Sequence, residues 1–132
     1  MPHPVLIDGQ WLASSATNTF QAVNPATEET LPGEFPISPW SEVDQAIQAA
    51  ADASKQMRGW PGSRFADFLE AYAEEIEARA DALVAAAHAE TALPVSPRLK
   101  DGELPRTTNQ LRQAATAART ESWRCPTIDT AT

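Results

Sequence analysis

The sequence predicts the α+β fold class: an N-terminal β-hairpin and short strands, followed by three α-helices. Three observations predict it. Asp8-Gly9 stands between two short apolar runs near the N-terminus, the pattern of a two-residue hairpin turn. From Trp40 onward, apolar residues recur at three- and four-residue spacing, the period of a helix that packs on one side. Prolines concentrate at 32–39 and 94–105 and punctuate the helical stretches, because proline lacks an N–H and disfavours helix at the residue before it.

In order along the chain, Val5-Leu6-Ile7 and Gln10-Trp11-Leu12 are the hairpin strands, and the turn between them requires positive φ at both central positions. A polar stretch over 13–18 leads to Thr19-Phe20-Gln21-Ala22-Val23, which alternates as a half-buried strand does, and Asn24-Pro25 ends it with turn chemistry. Glu28 to Leu31 is expected to add a further short strand, and 32–39 to form a proline-rich loop. Ser38-Pro39 reads as an N-cap with proline at the first helical position, with Ser41 and Asp44 as a competing cap. The first helix then runs from about Trp40 to Met57, with Val43, Ala46, Ile47, Ala50, Ala53 and Met57 as its stripe, and is expected to pack as a surface helix.

Gly59-Trp60-Pro61-Gly62 stops that helix, and Ser63 is placed to cap a second one running to about Thr91. Its inner face is expected to carry Phe65, Phe68, Leu69, Tyr72, Ala73, Ile76, Leu83 and Val84. On its wet side Glu75 and Arg79 stand in the favourable i,i+4 order, a pairing worth about 0.2–0.5 kcal/mol. Pro94, Pro97, Gly102 and Pro105 predict an irregular loop, after which Arg106 to about Arg119 reads as a third helix with Leu111, Ala114, Ala115 and Ala118 inward. The stretch from Trp123 to Thr132 reads as the start of a strand.

At 132 residues and 42% hydrophobic, the chain is one domain or one piece of a domain. Eighteen acidic against ten basic residues give a formal charge of −8, which repels a phosphate backbone, so no nucleic-acid partner is expected. Cys125 is the sole cysteine, which rules out an intrachain disulfide or a cysteine-rich metal site and fits a reducing compartment; cytoplasm is the default. No apolar run approaches the ~20 residues that span a bilayer, and Met1-Pro2-His3-Pro4 lacks the basic and long apolar regions of a secretory signal, so no membrane partner is expected.

Groups able to carry chemistry are few: His3, His88, Cys125 and scattered carboxylates. His88 has no i,i+4 partner for a metal pair, and Cys125 has an arginine neighbour but no histidine base nearby in sequence. Glycines at 9, 33, 59, 62 and 102 are too dispersed for a phosphate-cradling loop. Glu70, Glu74, Glu75 and Glu77 read as the solvated face of an amphipathic helix. No catalytic, cofactor-binding or metal-binding set is therefore assigned.

The series Ile7-Asp8-Gly9-Gln10-Trp11, Phe20-Gln21-Ala22-Val23-Asn24-Pro25-Ala26-Thr27, Val43-Asp44-x-Ala46, Trp60, Arg64 and Ile76-Glu77-Ala78-Arg79 resembles, in order and spacing, the opening segment of NAD(P)-dependent aldehyde dehydrogenases. Glu90-Thr91-Ala92-Leu93-Pro94, Arg98-Leu99, Gly102-Glu103 and Arg106-Thr107-Thr108-Asn109-Gln110-Leu111-Arg112 are similar to the branch that oxidises 2,5-dioxopentanoate, or α-ketoglutarate semialdehyde, to 2-oxoglutarate. Ala92 stands where that branch usually has glycine, the loop over 95–105 is a residue or two longer than the branch's, and Gln113-Ala114-Ala115 replaces a more aromatic run.

The resemblance implies an α/β family fold of which this segment supplies the peripheral hairpin and helices of the nucleotide-binding domain, without its central sheet. It implies a complete enzyme that is a homo-oligomer, takes a small-molecule aldehyde, and uses a cysteine thiolate, a general-base glutamate and NADP or NAD. The family's nucleotide motif, nucleophile and base have no matching positions before Thr132, so the chain alone is expected to be inactive and to hold no cofactor. Arg98, Arg106 and Gln110 are the substrate-entrance candidates, since the third helix of the family begins near that entrance and arginine binds a carboxylate bidentately. Many members also bind a monovalent cation near the residue that is Glu90 here, although a water-exposed helix-terminal glutamate is the simpler reading. The competing class is a free-standing acidic helical module that binds or regulates other proteins.

Overall fold

A computed structural model describes residues 1–121 and 124; Cys125 and the strand expected from Trp123 onward lie outside the described residues. The chain divides into two compact units, Met1–Gly59 with Ala89–Ala92, and Trp60–His88 with the described residues from Leu93 on.

In the first unit, β1 (Val5–Ile7) and β2 (Gln10–Leu12) pair antiparallel with Val5 opposite Leu12 and Ile7 opposite Gln10. Asp8 and Gly9 have φ of 49° and 72°, the positive values the turn requires at both positions. A second two-stranded sheet joins β3 (Thr19–Phe20) to β4 (Phe35–Pro36), with Phe20 opposite Phe35 and their ring centroids 5.5 Å apart. The strand expected over 19–23 is thus shorter than its alternation suggests, and 28–31 contributes one bridge, Thr30 to Val23. The cause is the turn between them: the Asn24 side chain accepts from the Ala26 N–H at 2.9 Å and Glu28 takes φ 59°, which bends the chain out of ladder geometry. Part of the expected proline loop, Phe35–Pro36, is strand instead; a two-stranded sheet tolerates the proline because one side of each strand needs no donor.

Helix α1 spans Trp40–Met57, as its stripe predicts, with Pro39 in extended conformation at the N-cap and no side-chain cap bond. Glu42 is the acidic residue of its first turn. Its carboxylate accepts from the Ser15 N–H at 2.5 Å, the Ser15 hydroxyl at 2.9 Å and the Ser14 hydroxyl at 2.7 Å, tying the polar stretch after the hairpin to the first turn of α1. These donors, the Ser15 amide first, hold the Glu42 carboxyl at about 2. Contrary to the packed helix expected, α1 buries none of its residues, and Trp40 and Ile47 of the first unit are 76% and 56% exposed.

In the second unit the long helix expected up to Thr91 is two, α2 (Gly62–Ala78) and α3 (Ala80–Thr91), because Arg79 leaves helical geometry at φ −109°, ψ 17°. No glycine or proline marks that break. The expected loop over 95–103 is a π-helical segment, Val95–Glu103, extended at Ser96, and α4 follows as Leu104–Thr120. Three predicted helices are therefore four plus this segment.

Helices α2 and α4 run antiparallel and meet through small side chains. Ala66 and Ala73 of α2 and Ala115 of α4 are fully buried, Thr108 is 2% exposed, and Gly62 abuts the Ala118 backbone. Small residues let the two backbones approach, and charged residues close the outer edge. Arg112 binds Glu77 bidentately at 2.6 and 2.8 Å, and Arg119 reaches Asp67 at 3.1 Å and Glu70 at 2.7 Å. The acidic run of α2 is hence partly an ion-pair ladder rather than solvated charge alone. The expected Glu75–Arg79 pair is present.

Candidate functional site

The second unit carries a cavity of about 340 Å³, open to solvent and lined by Tyr72 and Ile76 of α2, Leu83, Val84 and Ala87 of α3, Leu99 and Glu103 of the π-helical segment, and Leu104 and Thr107 of α4. It is the face that the sequence assigns to the helix interior. Yet Phe68, Tyr72 and Leu83 remain 67%, 51% and 44% exposed, so the expected inner stripe is an apolar wall without cover among the described residues. Phe68 and Tyr72 stack at 6.1 Å along it. Sequence reasoning found the stripe but not the cavity, since the break at Arg79 and the coil of 95–103 that shape it carry no local signal.

Two of the expected substrate-entrance positions are sequence neighbours of lining residues, Arg98 of Leu99 and Arg106 of Thr107. Arg98 is held by Glu103 at 2.6 Å, so its charge is matched within its own segment. Arg106 and Gln110 lie one turn apart on α4, which puts both on one exposed face, and neither forms an ion pair among the described residues. The structure therefore brings Arg106 and Gln110 together and leaves Arg98 engaged elsewhere. Thr107, between them, turns its hydroxyl back to the Glu103 carbonyl at 2.9 Å.

Further along, Lys100 pairs with Asp81 at 2.9 Å, which lowers the Asp81 carboxyl and raises the Lys100 ammonium. Glu77, beside Arg112, is held at about 2, mainly by that guanidinium's hydrogen bonds and then by the Thr108 hydroxyl. His88 Nδ1 lies 2.7 Å from the Leu93 carbonyl oxygen, pinning the chain reversal after α3, and Glu90 is an exposed residue of the last turn of that helix. No group of three metal-ligating side chains occurs among the described residues, and no helix there is long and apolar enough to cross a membrane.

Among the described residues the sheets are two-stranded and antiparallel, without a crevice between parallel strand ends, and α1 and α2 each follow a proline at the N-cap.

The profile of the aldehyde dehydrogenase family matches residues 11–131. The alpha-ketoglutaric semialdehyde dehydrogenase 2 of Azospirillum brasilense is 40% identical over 128 residues, which is 96% of this chain and 24% of that protein. The NADP-dependent glyceraldehyde-3-phosphate dehydrogenase of Bacillus halodurans C-125 superposes with a TM-score of 0.78 at 29% identity, over 88% of this chain and 24% of its own. The NAD-dependent benzaldehyde dehydrogenase of Corynebacterium glutamicum shares the fold with a TM-score of 0.79 at 21% identity, over 88% and 25%. The chain spans about a quarter of the length of these relatives. A profile match from residue 11 to residue 131, most of the chain, means that this chain belongs to the aldehyde dehydrogenase family.

Proposed function

We propose that this chain is the N-terminal part of the nucleotide-binding domain of an aldehyde dehydrogenase that oxidises 2,5-dioxopentanoate to 2-oxoglutarate with NADP or NAD, in a cytoplasmic homo-oligomer. The observation that carries the reading is the 40% identity to a semialdehyde dehydrogenase along 96% of the chain. By itself the chain turns nothing over in this reading, since the family's nucleotide motif, nucleophilic cysteine and general-base glutamate have no matching positions in it. The cofactor and the reacting groups belong to polypeptide outside this segment.

Within the complete enzyme, Arg106 and Gln110 meet the distal carboxylate of the substrate. A guanidinium and an amide one helical turn apart offer convergent donors to two carboxylate oxygens, and Arg106 has no internal carboxylate competing for it among the described residues. Arg98, neutralised by Glu103, supports the turn before α4. The test is a chimera in which this chain replaces the matching segment of the Azospirillum brasilense relative. Arg106→Ala is expected to raise KM for 2,5-dioxopentanoate by about tenfold or more, the worth of an exposed charge-assisted bond, while leaving KM for an uncharged aldehyde of equal length unchanged. Equal effects on both substrates would remove Arg106 from carboxylate recognition.

A further inference from the structure

We propose that Arg98 is a positioning residue: by holding the Glu103 carboxylate it keeps that carboxylate off Arg106 and leaves the Arg106 guanidinium free for a carboxylate from outside the chain. The proposal rests on the reading of Arg106 given above and names what makes that role possible.

Glu103 and Arg106 stand three residues apart on continuous helical backbone, since Glu103 itself has φ −68° and ψ −42° and α4 begins at the next residue. On a helix that spacing puts β-carbons about 5–6 Å apart, and an acid on the N-terminal side of a base is the favoured order. An internal ion pair is therefore the default for Arg106, and it would compete with any substrate. The structure gives Glu103 another partner instead. Arg98 reaches Glu103 Oε1 at 2.6 Å, and Arg106 forms no ion pair among the described residues.

The π-helical segment before α4 explains the choice. In an α-helix residues five apart point about 140° away from each other, so Arg98 would not meet Glu103. Here the chain is wound more widely: the Leu99 N–H reaches the Pro94 carbonyl at 3.2 Å and the Leu104 N–H reaches the Leu99 carbonyl, each across five residues. Side-chain contacts follow at the same spacing, with Arg98 on Glu103 and the Ser96 hydroxyl donating to Asp101 at 2.6 Å. Lys100, a second cation three residues from Glu103, is held by Asp81 at 2.9 Å. The charged groups of the segment are thus matched before α4 begins, and Arg106 is the next cation along the chain.

The worth of the Arg98–Glu103 pair lies in selection rather than stability. Its side chains are 60% and 36% exposed, where an ion pair adds little to folding. A freed Glu103 would hold Arg106 with similarly modest strength, enough to occupy it somewhat more than half of the time, and a site free for the remaining fraction shows a KM raised about two- to threefold.

The experiment is a double-mutant cycle at Arg98 and Glu103 in the chimera with the remainder of the Azospirillum brasilense relative, at about 0.15 M salt, where distant charges are screened. Arg98→Gln is expected to raise KM for 2,5-dioxopentanoate about two- to threefold, with kcat and the KM for an uncharged aldehyde of equal length unchanged. Adding Glu103→Gln should return KM to the parent value, and Glu103→Gln alone should leave it there, because that carboxylate is already held. No change with Arg98→Gln overturns the proposal. So does a raised KM that Glu103→Gln fails to restore, the outcome if Arg98 bound substrate itself or merely supported the fold. A KM that Glu103→Gln alone lowers as far as Arg98→Gln raises it also overturns it, since independent charges would then suffice. The pairing is read without turnover from the Arg106 Nε–H nuclear magnetic resonance of the 132-residue chain. That signal should move in Arg98→Gln and move back in the double variant, and a signal unmoved by Arg98→Gln overturns the proposal whether or not the chimera folds. Should Arg106→Ala affect charged and uncharged aldehydes alike while the signal moves and returns, the carboxylate reading falls and the hold of Arg98 on Glu103 stands.

Discussion

Replacing Gly62 with alanine places a β-carbon in a space that the Ala118 backbone already fills. The added atom would overlap the Ala118 carbonyl oxygen and lie 3.1 Å from its carbonyl carbon. A backbone carbonyl in the last turn of α4 cannot rotate away, so the two helices must separate, and Ala66, Ala73 and Ala115 lose contact along the seam. Overpacking of this kind costs about 1–3 kcal/mol. Alanine recovers about 0.4–1 kcal/mol by restricting the unfolded chain. The net loss is roughly 1–2 kcal/mol, a fall in Tm of roughly 3–10 °C for a chain of this size. Gly59→Ala is the matched control, since nothing lies within 4 Å of its added carbon, and its φ is not in the left-handed region. Thermal unfolding followed by far-ultraviolet circular dichroism compares the two. If Gly62→Ala melts with or above the parent while Gly59→Ala behaves as expected, the close approach of α2 and α4 is wrong.

Other expectations follow from particular residues. Ala92 sits at φ 57° immediately after α3, a left-handed position that costs an L-residue about 1–2 kcal/mol and glycine nothing; set against glycine's greater unfolded entropy, Ala92→Gly should stabilise by about 0.5–1 kcal/mol, read as a higher Tm. The Glu77 carboxyl is lowered from 4.5 to about 2, so what it contributes to stability is complete above 4.5 and is lost as pH falls towards 2; Glu77→Gln should flatten the acid limb of the stability profile in that window, and an unchanged limb would disprove the Arg112 pairing. Glu42→Gln removes the anionic acceptor for Ser14 and Ser15, so the Ser15 amide should lose hydrogen-exchange protection while amides in the middle of α1 keep theirs.

What could be read from the sequence was whatever has a short-range cause. Asp8-Gly9 needs only its own φ angles to make a hairpin, and α1 follows from a stripe and a flanking proline, so both lie where expected. Features set by distant neighbours were not legible. The break at Arg79 falls among good helix formers, and the coil at 95–103 forms where prolines suggested irregular chain. The bonds from loop serines to the Glu42 carboxylate depend on residues 27 and 28 positions away. The exposure of Phe68 and Tyr72 is a property of what covers a face, and periodicity specifies the face alone. Arg98 illustrates the same limit at the candidate site: its residue type suggested an anion contact, but Glu103, five residues on, already occupies it.

The central claim is that these residues contribute to aldehyde oxidation only when joined to the remainder of such an enzyme. Formation of NAD(P)H from 2,5-dioxopentanoate, measured side by side for the chain alone and for its chimera with the remainder of the Azospirillum brasilense relative, tests it most directly. The account predicts no rate above background for the chain and turnover by the chimera within about tenfold of the parent relative, a barrier difference under about 1.4 kcal/mol. Turnover by the chain alone, or a folded chimera that oxidises nothing, would contradict it.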